Sequence, residues 1–212
     1  MQTNDIATIA RFPQVPPRVL ALTRGIGSGK SSGRAIFQDL GVPCLDVDLV
    51  ARSIHQDPRH PAPARIADAI PEAMSTDGTL SRGSLRKLFA IDNAANDELK
   101  RILKPYVMAQ ARRWTRAQSA KYVVWESALM TDQAIPCDRV LVIDASDDTR
   151  LTRIQRRNPD WSAEQITNII AIQPPRAGYL ARADDVIDND GAPAELKSRV
   201  EQLHRIYMKV WS

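Results

Sequence analysis

The chain has 212 residues and a formal net charge of +4, with 43% hydrophobic and 25% charged residues. This composition is typical of a protein that buries a substantial core, and it excludes an intrinsically disordered chain. The length accommodates one α/β domain with a small insertion, but not two unrelated domains. Cys44 and Cys137 are the only cysteines and form no CxxC pair, so neither a disulfide framework nor a zinc site is indicated.

The start of the chain lacks the continuous apolar segment of a signal peptide, and no later stretch is long enough to span a bilayer. We therefore expect a cytoplasmic protein without a membrane partner. Prolines in residues 1–18 predict a flexible arm, because they interrupt both helices and strand pairing. The aromatics are few and the basic residues are scattered, so we expect no nucleic-acid partner. We expect a monomer or a weak homo-oligomer.

Strands and helices are predicted to alternate at the start of the chain. Residues 19–23 form an apolar run before a glycine-rich stretch, and residues 31–40 carry apolar side chains at helical spacing. Gly41 is predicted to end this helix, and residues 42–45 to form a second buried strand. Another helix is expected from about residue 49.

The middle of the chain is predicted to be helical. Over residues 61–120 the helical spacing of apolar residues is interrupted by turns, and no convincing strand is found. Asp77-Gly78 is a turn signal, Ser81 can cap a helix, and Pro105 is predicted to lie in the first turn of a long helix. We expect this region to form a helical insertion that stands apart from the sheet.

The remaining residues are predicted to complete the sheet. Strands are expected over residues 122–125, 140–143 and 185–188, because these short apolar or β-branched runs are typical of strands covered on both faces. Helices are expected around residues 149–157 and 162–172, and from Ala194 onward. Strands separated by helices predict an α/β fold with a doubly wound parallel sheet of about five strands.

A phosphate-binding loop is the strongest motif in the chain. It lies between a predicted strand and a predicted helix, where glycines let backbone N–H groups surround phosphate oxygens at the positive end of the helix. We predict that Lys30 contacts the β- and γ-phosphates of ATP and that the Ser31 hydroxyl binds Mg²⁺. The residues predicted to hold the nucleotide are Gly25, Ile26, Gly27, Ser28, Gly29, Lys30, Ser31 and Ser32.

Arg24 stands where the pattern GxxxxGK[ST] has its first glycine. If the backbone at this position requires a positive φ, the side chain strains the loop, and replacement by glycine tightens ATP binding about fivefold. If the backbone is ordinary, the guanidinium faces the phosphates or a nearby carboxylate, and the same replacement weakens binding. The strained loop is the hypothesis that we favour from the sequence.

Two carboxylates follow the second predicted strand, at the edge of the sheet where ligands of open α/β folds bind. Asp46 and Asp48 are two apart, so on an extended chain they face opposite ways. We predict that Asp48 orients or deprotonates an attacking hydroxyl. The alternative is that Asp48 only caps the next helix.

A basic segment lies near the C-terminal third, as in kinases whose lid brings arginines onto the phosphates. It contains Arg150, Arg153, Arg156 and Arg157. Charges of this kind usually face solvent, so we expect solvent exposure for the first three. Arg157, at the end of the predicted helix, is the arginine that we expect to act in catalysis.

In its motifs and their order, the chain resembles the dephospho-coenzyme A (dephospho-CoA) kinase family over nearly its whole length after Arg18. The resemblance starts with the phosphate loop and the segment Leu45-Asp46-Val47-Asp48 before Ala51-Arg52. It continues through Asp77-Gly78-Thr79-Leu80, Arg82, Pro105, Arg157, Gln173, Arg176, and the segment Ala183-Asp184-Asp185-Val186-Ile187-Asp188-Asn189 with Gly191.

The resemblance implies a P-loop kinase in three parts. These are a nucleotide core over residues 19–60 and 121–212, a CoA-binding helical insertion over 61–120, and a lid around 153–180. It implies ATP-dependent phosphorylation of the ribose 3′-hydroxyl of dephospho-CoA, the last step of CoA biosynthesis. Lys30 and Ser31 match the family's phosphate and Mg²⁺ residues, Asp48 matches the acid that activates the hydroxyl, and Arg157 matches a lid arginine.

Four places depart from the family pattern. They are Arg24 for glycine, Lys104 for a histidine before Pro105, residues 127–130 for a strand end reading Pro-Leu-Leu, and Tyr179 for a basic residue. Two alternative functions therefore remain open. One is a diverged paralogue that binds nucleotide or CoA and regulates without turnover. The other is a P-loop kinase of another small hydroxylated substrate, since the fold does not fix the acceptor.

Overall fold

A computed structural model describes residues 15–75, 80–81, 93–128 and 136–211. Its strands are β1 (Arg18–Thr23), β2 (Cys44–Asp46), β3 (Tyr122–Ser127), β4 (Arg139–Asp144) and β5 (Asp185–Asp188). Its helices are α1 (Lys30–Asp39), α2 (Val47–Gln56), α3 (Pro61–Ala69), α4 (Asn93–Arg116), α5 (Asp147–Arg157), α6 (Ala163–Ala171), α7 (Arg176–Leu180) and α8 (Pro193–Val210). Across the described residues, every helix is too short or too polar to cross a membrane.

All five strands run parallel in the order β2-β3-β1-β4-β5. This confirms the predicted doubly wound sheet. The chain leaves the central strand β1 toward β2 on one side and reaches β4 and β5 on the other. A crevice for ligands is expected at such a reversal, at the carboxyl ends of the strands, and the predicted phosphate loop follows β1 at this edge.

Helices cover both faces of the sheet, because β1 and β3 present apolar side chains in both directions. On one face α1 and α8 pack against Leu20, Leu22 and Val124. On the other face α2, α3 and α4 form one continuous core with Ala21 and Trp125. The prediction that the helical region stands apart from the sheet is therefore wrong for its described helices. Its boundaries at residues 61 and 120 stay a prediction.

Local signals explain where the elements near the site begin and end. Gly41, at φ 78°, follows α1 as predicted. Asp46 accepts a hydrogen bond from the N–H of Leu49 at 2.9 Å, so the chain turns helical directly after β2. Pro105 lies inside α4 and not in its first turn, because apolar packing on both sides of the proline outweighs the lost backbone hydrogen bond. The predicted turn at Asp77-Gly78 and the helix after Ser81 lie outside the described residues.

Candidate active site

The phosphate loop connects β1 to α1, and its conformation depends on glycine. Gly27 and Gly29 have φ of 81° and 104°. A Cβ atom on Gly29 would also lie 2.2 Å from the side-chain nitrogen of Asn189, which donates to the carbonyl of Ser28 at 2.7 Å. No side chain caps the N-terminus of α1, so the N–H groups of its first turn are left for a ligand.

Arginine and glutamine side chains support the loop from the opposite side. Arg150 donates to the carbonyl of Ile26 at 2.9 Å, and Gln173 accepts from the N–H of Ile26 at 3.0 Å. Arg150 also donates to Gln173 at 2.8 Å. Only 3% of Arg150 is exposed, so the prediction that this residue faces solvent is wrong. The carbonyl of Ile26 needs a hydrogen-bond donor, and α5 places the guanidinium of Arg150 next to it.

Lys30 lies at the centre of the site, with its Nζ 3.2 Å from the carbonyl oxygen of Gly25. Burial lowers the pKa of Lys30, while the charges of Glu126 and Asp48 oppose that shift. Both carboxylates are therefore near enough to act on the lysine charge. An anion bound at the loop would stabilise the protonated lysine further.

The Ser31 hydroxyl donates to Glu126 at 3.0 Å. Glu126 lies in β3, is 5% exposed, and also contacts Arg34, whose Nε lies 2.9 Å from its second oxygen. A hydroxyl next to a carboxylate supplies the oxygen ligands that Mg²⁺ prefers, so these residues fit a magnesium ion bound together with phosphate. Among the described residues, no group of three or more His, Cys, Asp or Glu could hold a metal ion without such help.

Asp48 and Asp46 do different things. Asp48 accepts from the Ser127 hydroxyl at 2.6 Å and from the N–H of Ala128 at 3.0 Å, which fixes its carboxylate at the end of β3. Asp46 caps α2 and pairs with Arg34 at 3.2 Å. The two carboxylates thus have different partners, and the prediction that they lie on one extended chain is wrong, because Asp48 lies in the first turn of α2. The cap is Asp46.

A cavity of about 900 Å³ opens beside the loop and extends between α1, α5 and α8. Its loop end is formed by Lys30 and Ser31, and Arg157 and Trp161 line it farther along. Arg157 is exposed at the end of α5. The cavity can therefore accept a nucleotide whose phosphates reach the loop, with an aromatic side chain available to its base.

Arg24 combines the two alternatives that the sequence left open. Its φ is 147°, in the region that favours glycine, and its Nε donates to Asp144 at 2.7 Å. The guanidinium lies over the ring of Tyr179, 5.2 Å from the ring centre. Burial alone would raise the pKa of Asp144, but hydrogen bonds from Arg176 and Arg24 hold it below its ordinary value.

Comparisons with known proteins agree with this geometry. A family model described as dephospho-CoA kinase matches residues 18–195. The chain belongs to the dephospho-CoA kinase family. Dephospho-CoA kinase of Shigella flexneri is 38% identical over 197 residues, which are 92% of this chain and 95% of that one. Dephospho-CoA kinase of Escherichia coli strain K12 is 37% identical over the same shares of the two chains.

Solved structures show the same fold. A crystal structure from Thermus thermophilus has a TM-score of 0.76 and 24% identity, and covers 90% of this chain and 98% of its own. Dephospho-CoA kinase from Campylobacter jejuni has a TM-score of 0.54 and 18% identity, with coverage of 90% and 97%. A shikimate kinase from Bacteroides thetaiotaomicron has a TM-score of 0.50 and 15% identity, with coverage of 89% and 97%.

Sequence reasoning missed two charged residues of this dephospho-CoA kinase family member and gave the wrong exposure for a third. Glu126 is the last residue but one of β3, Asp144 is the last residue of β4, and these strands lie on either side of β1; Arg150 supports the loop. An acidic residue at the end of a buried strand was a usable signal for the first two, because parallel strands end at a common edge. Arg150 was named in the basic segment but was expected to face solvent, since its contacts come from distant parts of the chain.

Proposed function

We propose that this protein transfers the γ-phosphate of ATP to the ribose 3′-hydroxyl of dephospho-CoA. The observation that carries the proposal is the meeting of two groups at one edge of the sheet. Lys30 lies on the phosphate loop after β1, and Asp48 is held against the end of β3, the next strand in the sheet. A phosphoryl donor and an activated hydroxyl require this arrangement.

On the donor side, the loop N–H groups and Lys30 bind the β- and γ-phosphates of ATP. Ser31 and Glu126 hold Mg²⁺, which neutralises charge on the phosphates. Catalysis in this class of reaction consists mainly of positioning and charge stabilisation, so the rigid support of the loop by Arg150 and Asn189 is part of the mechanism.

On the acceptor side, Asp48 accepts the hydrogen bond of the 3′-hydroxyl and takes its proton as the oxygen bonds to the γ-phosphorus. The bond to the β–γ bridging oxygen breaks, and ADP leaves. Hydrogen bonds from Ser127 and Ala128 keep Asp48 in one orientation. The region of residues 61–120 binds the CoA moiety, and a lid around residues 153–180 brings Arg157 toward the phosphates.

The same proposal covers the setting of the enzyme. It works in the cytoplasm, as a monomer or a weak homo-oligomer, and needs no nucleic acid or membrane.

The deciding experiment is the ATP-dependent conversion of dephospho-CoA to CoA by the purified protein, followed by ADP release and by chromatography of the product. We expect turnover that requires Mg²⁺ and that is lost in Lys30→Ala. ATP turnover stimulated by a different hydroxylated acceptor would replace the substrate. Nucleotide binding without turnover of dephospho-CoA or any other acceptor would make the protein a regulatory paralogue.

A further inference from the structure

Arg24 carries a buried charge that the described residues satisfy only in part. Its exposed fraction is 0%, and its Nε pairs with Asp144. The terminal nitrogens Nη1 and Nη2 are also buried and have no hydrogen-bond partner among the described residues. Unpaired buried donors on a charged group are strongly unfavourable and rare in native proteins. The pair of nitrogens is therefore suited to an anionic acceptor that the described part of the chain does not supply.

The backbone at Arg24 points to the same conclusion. A φ of 147° suits glycine and disfavours residues with a Cβ atom. Strained conformations of this kind persist mainly where the side chain has a function. Glycine would remove both the strain and the unpaired nitrogens, but this chain carries arginine.

The surroundings of Arg24 connect the two halves of the site. The ring of Tyr179 lies over its guanidinium, and the Tyr179 hydroxyl donates to the carbonyl of Ala128 at 3.0 Å. The N–H of Ala128 in turn donates to Asp48. Arg24 directly precedes the phosphate loop, and its positive charge adds to the lowering of the Lys30 pKa that burial dominates. In the proposed function, the transferred phosphoryl group lies between Lys30 and Asp48.

We propose that Arg24 binds the terminal phosphate of the nucleoside triphosphate through its two free terminal nitrogens. The planar guanidinium matches two phosphate oxygens, and the Tyr179 ring holds it flat. Two of the departures from the family pattern, at positions 24 and 179, are thus in direct contact and form one unit. The proposal rests on the phosphate loop of the proposed function, but not on the identity of the acceptor.

The test compares MgATP and MgADP binding to wild type and Arg24→Gly by titration calorimetry. Glycine suits the backbone, and Arg176 still pairs with Asp144, so the variant should fold. We expect ATP affinity to fall at least about tenfold and ADP affinity less than about threefold, because ADP lacks the terminal phosphate. Tighter ATP binding, which the strained-loop hypothesis predicts, would overturn the proposal, and so would unchanged binding. So would equal losses for the two nucleotides.

The chain offers a matched control in Arg139. Its guanidinium also lies between an aspartate and a tyrosine, pairing with Asp185 and lying 6.0 Å from the ring centre of Tyr207. Arg139 opens β4, at the end of the sheet away from the loop. Arg139→Met should keep the wild-type ratio of ATP to ADP affinity. A changed ratio in this variant would show that the ratio reports general destabilisation, and the proposal would fall.

A rescue variant tests the charge itself. In Arg24→Gly with Tyr179→Arg, a guanidinium returns from the neighbouring position, so ATP affinity should recover most of the loss. A double variant that binds ATP no better than Arg24→Gly would refute the assignment of the charge to the terminal phosphate. These titrations contain no acceptor. A wild type that binds ATP but forms no CoA would therefore refute the proposed function and leave the Arg24 result standing.

Discussion

Lys30 carries its charge in a buried place, where each neighbouring charge acts strongly. Burial lowers its pKa, which means that the charged form is poorly solvated. Bound phosphate oxygens would therefore stabilise the ammonium ion strongly. Lys30→Ala should therefore reduce turnover by roughly 100-fold or more, since charge stabilisation is a main source of catalysis. Steady-state kinetics measure the turnover, and a thermal unfolding curve checks that the variant is still folded. Lys121→Ala, an exposed lysine bound to the carbonyl of Met208, should retain normal turnover. Equal activity of the two variants would contradict the loop assignment.

Asp46, the last residue of β2, and Asp48, in the first turn of α2, permit a sharper comparison of two single residues. Asp48→Asn keeps the size of the side chain but removes the charge that accepts a proton. Phosphoryl transfer should fall roughly 100-fold or more, while ATP binding persists. Asp46→Asn keeps a capping group for α2 and weakens only the pair with Arg34, so its loss should be much smaller. Turnover is measured by steady-state kinetics and ATP binding by a separate titration. Equal losses of turnover in the two variants would refute the assignment of different roles to Asp48 and Asp46.

Helices α2, α3 and α4 form the element that is expected to meet the acceptor. They share one core with the sheet, so we expect the acceptor to bind on their outer surface or at their ends. Hydrogen exchange followed by mass spectrometry should show slower exchange in parts of residues 47–69 and 93–116 when dephospho-CoA is added. Adenosine alone should leave these segments unchanged, because it lacks the pantetheine arm.

The last turns of α8 provide an internal reference for this measurement, since residues 200–210 lie beyond the nucleotide cavity. Their exchange should not respond to dephospho-CoA. If the acceptor left α2, α3 and α4 without protection, a different acceptor or a different binding element would have to be considered.

At the scale of the whole molecule, ion pairs between strands predict how stability depends on pH. Burial alone would raise the pKa of Asp185, but hydrogen bonds from Arg139 and Tyr207 hold it below its ordinary value. Asp144 is shifted in the same direction. A lowered native pKa adds stability above the unfolded value of about 3.9, and this stability is lost as the pH falls through the native value.

Urea unfolding between pH 3 and pH 7 measures this dependence. Near neutrality Asp144 and Asp185 should not make the free energy of unfolding depend on pH. Below about pH 4 this free energy should fall steeply. Asp185→Asn should be less stable at pH 7 and should show a shallower acid limb, because one of the linked carboxylates is gone. An unchanged acid limb in this variant would mean that the contacts of Asp185 contribute nothing to the pH dependence.

Much of this protein was determined by the sequence alone, and the reason is that the signals were local. Alternating apolar runs and helical spacing predicted the parallel sheet with helices on both faces. Glycine spacing before Lys30 and Ser31 predicted the phosphate loop, and Asp48 was singled out from its place after a strand. These features depend on neighbours within about one turn or one strand.

Only the tertiary structure decided which charged groups meet. Ser31 and Glu126 are 95 residues apart, and Arg24 and Asp144 are 120 apart, so each pair forms only because β3 and β4 flank β1. From the sequence, a strained backbone at Arg24 and a guanidinium paired with a carboxylate were alternatives that excluded each other. In the fold both occur together. The order of the strands in the sheet decides which distant side chains meet, and local sequence patterns do not predict that order.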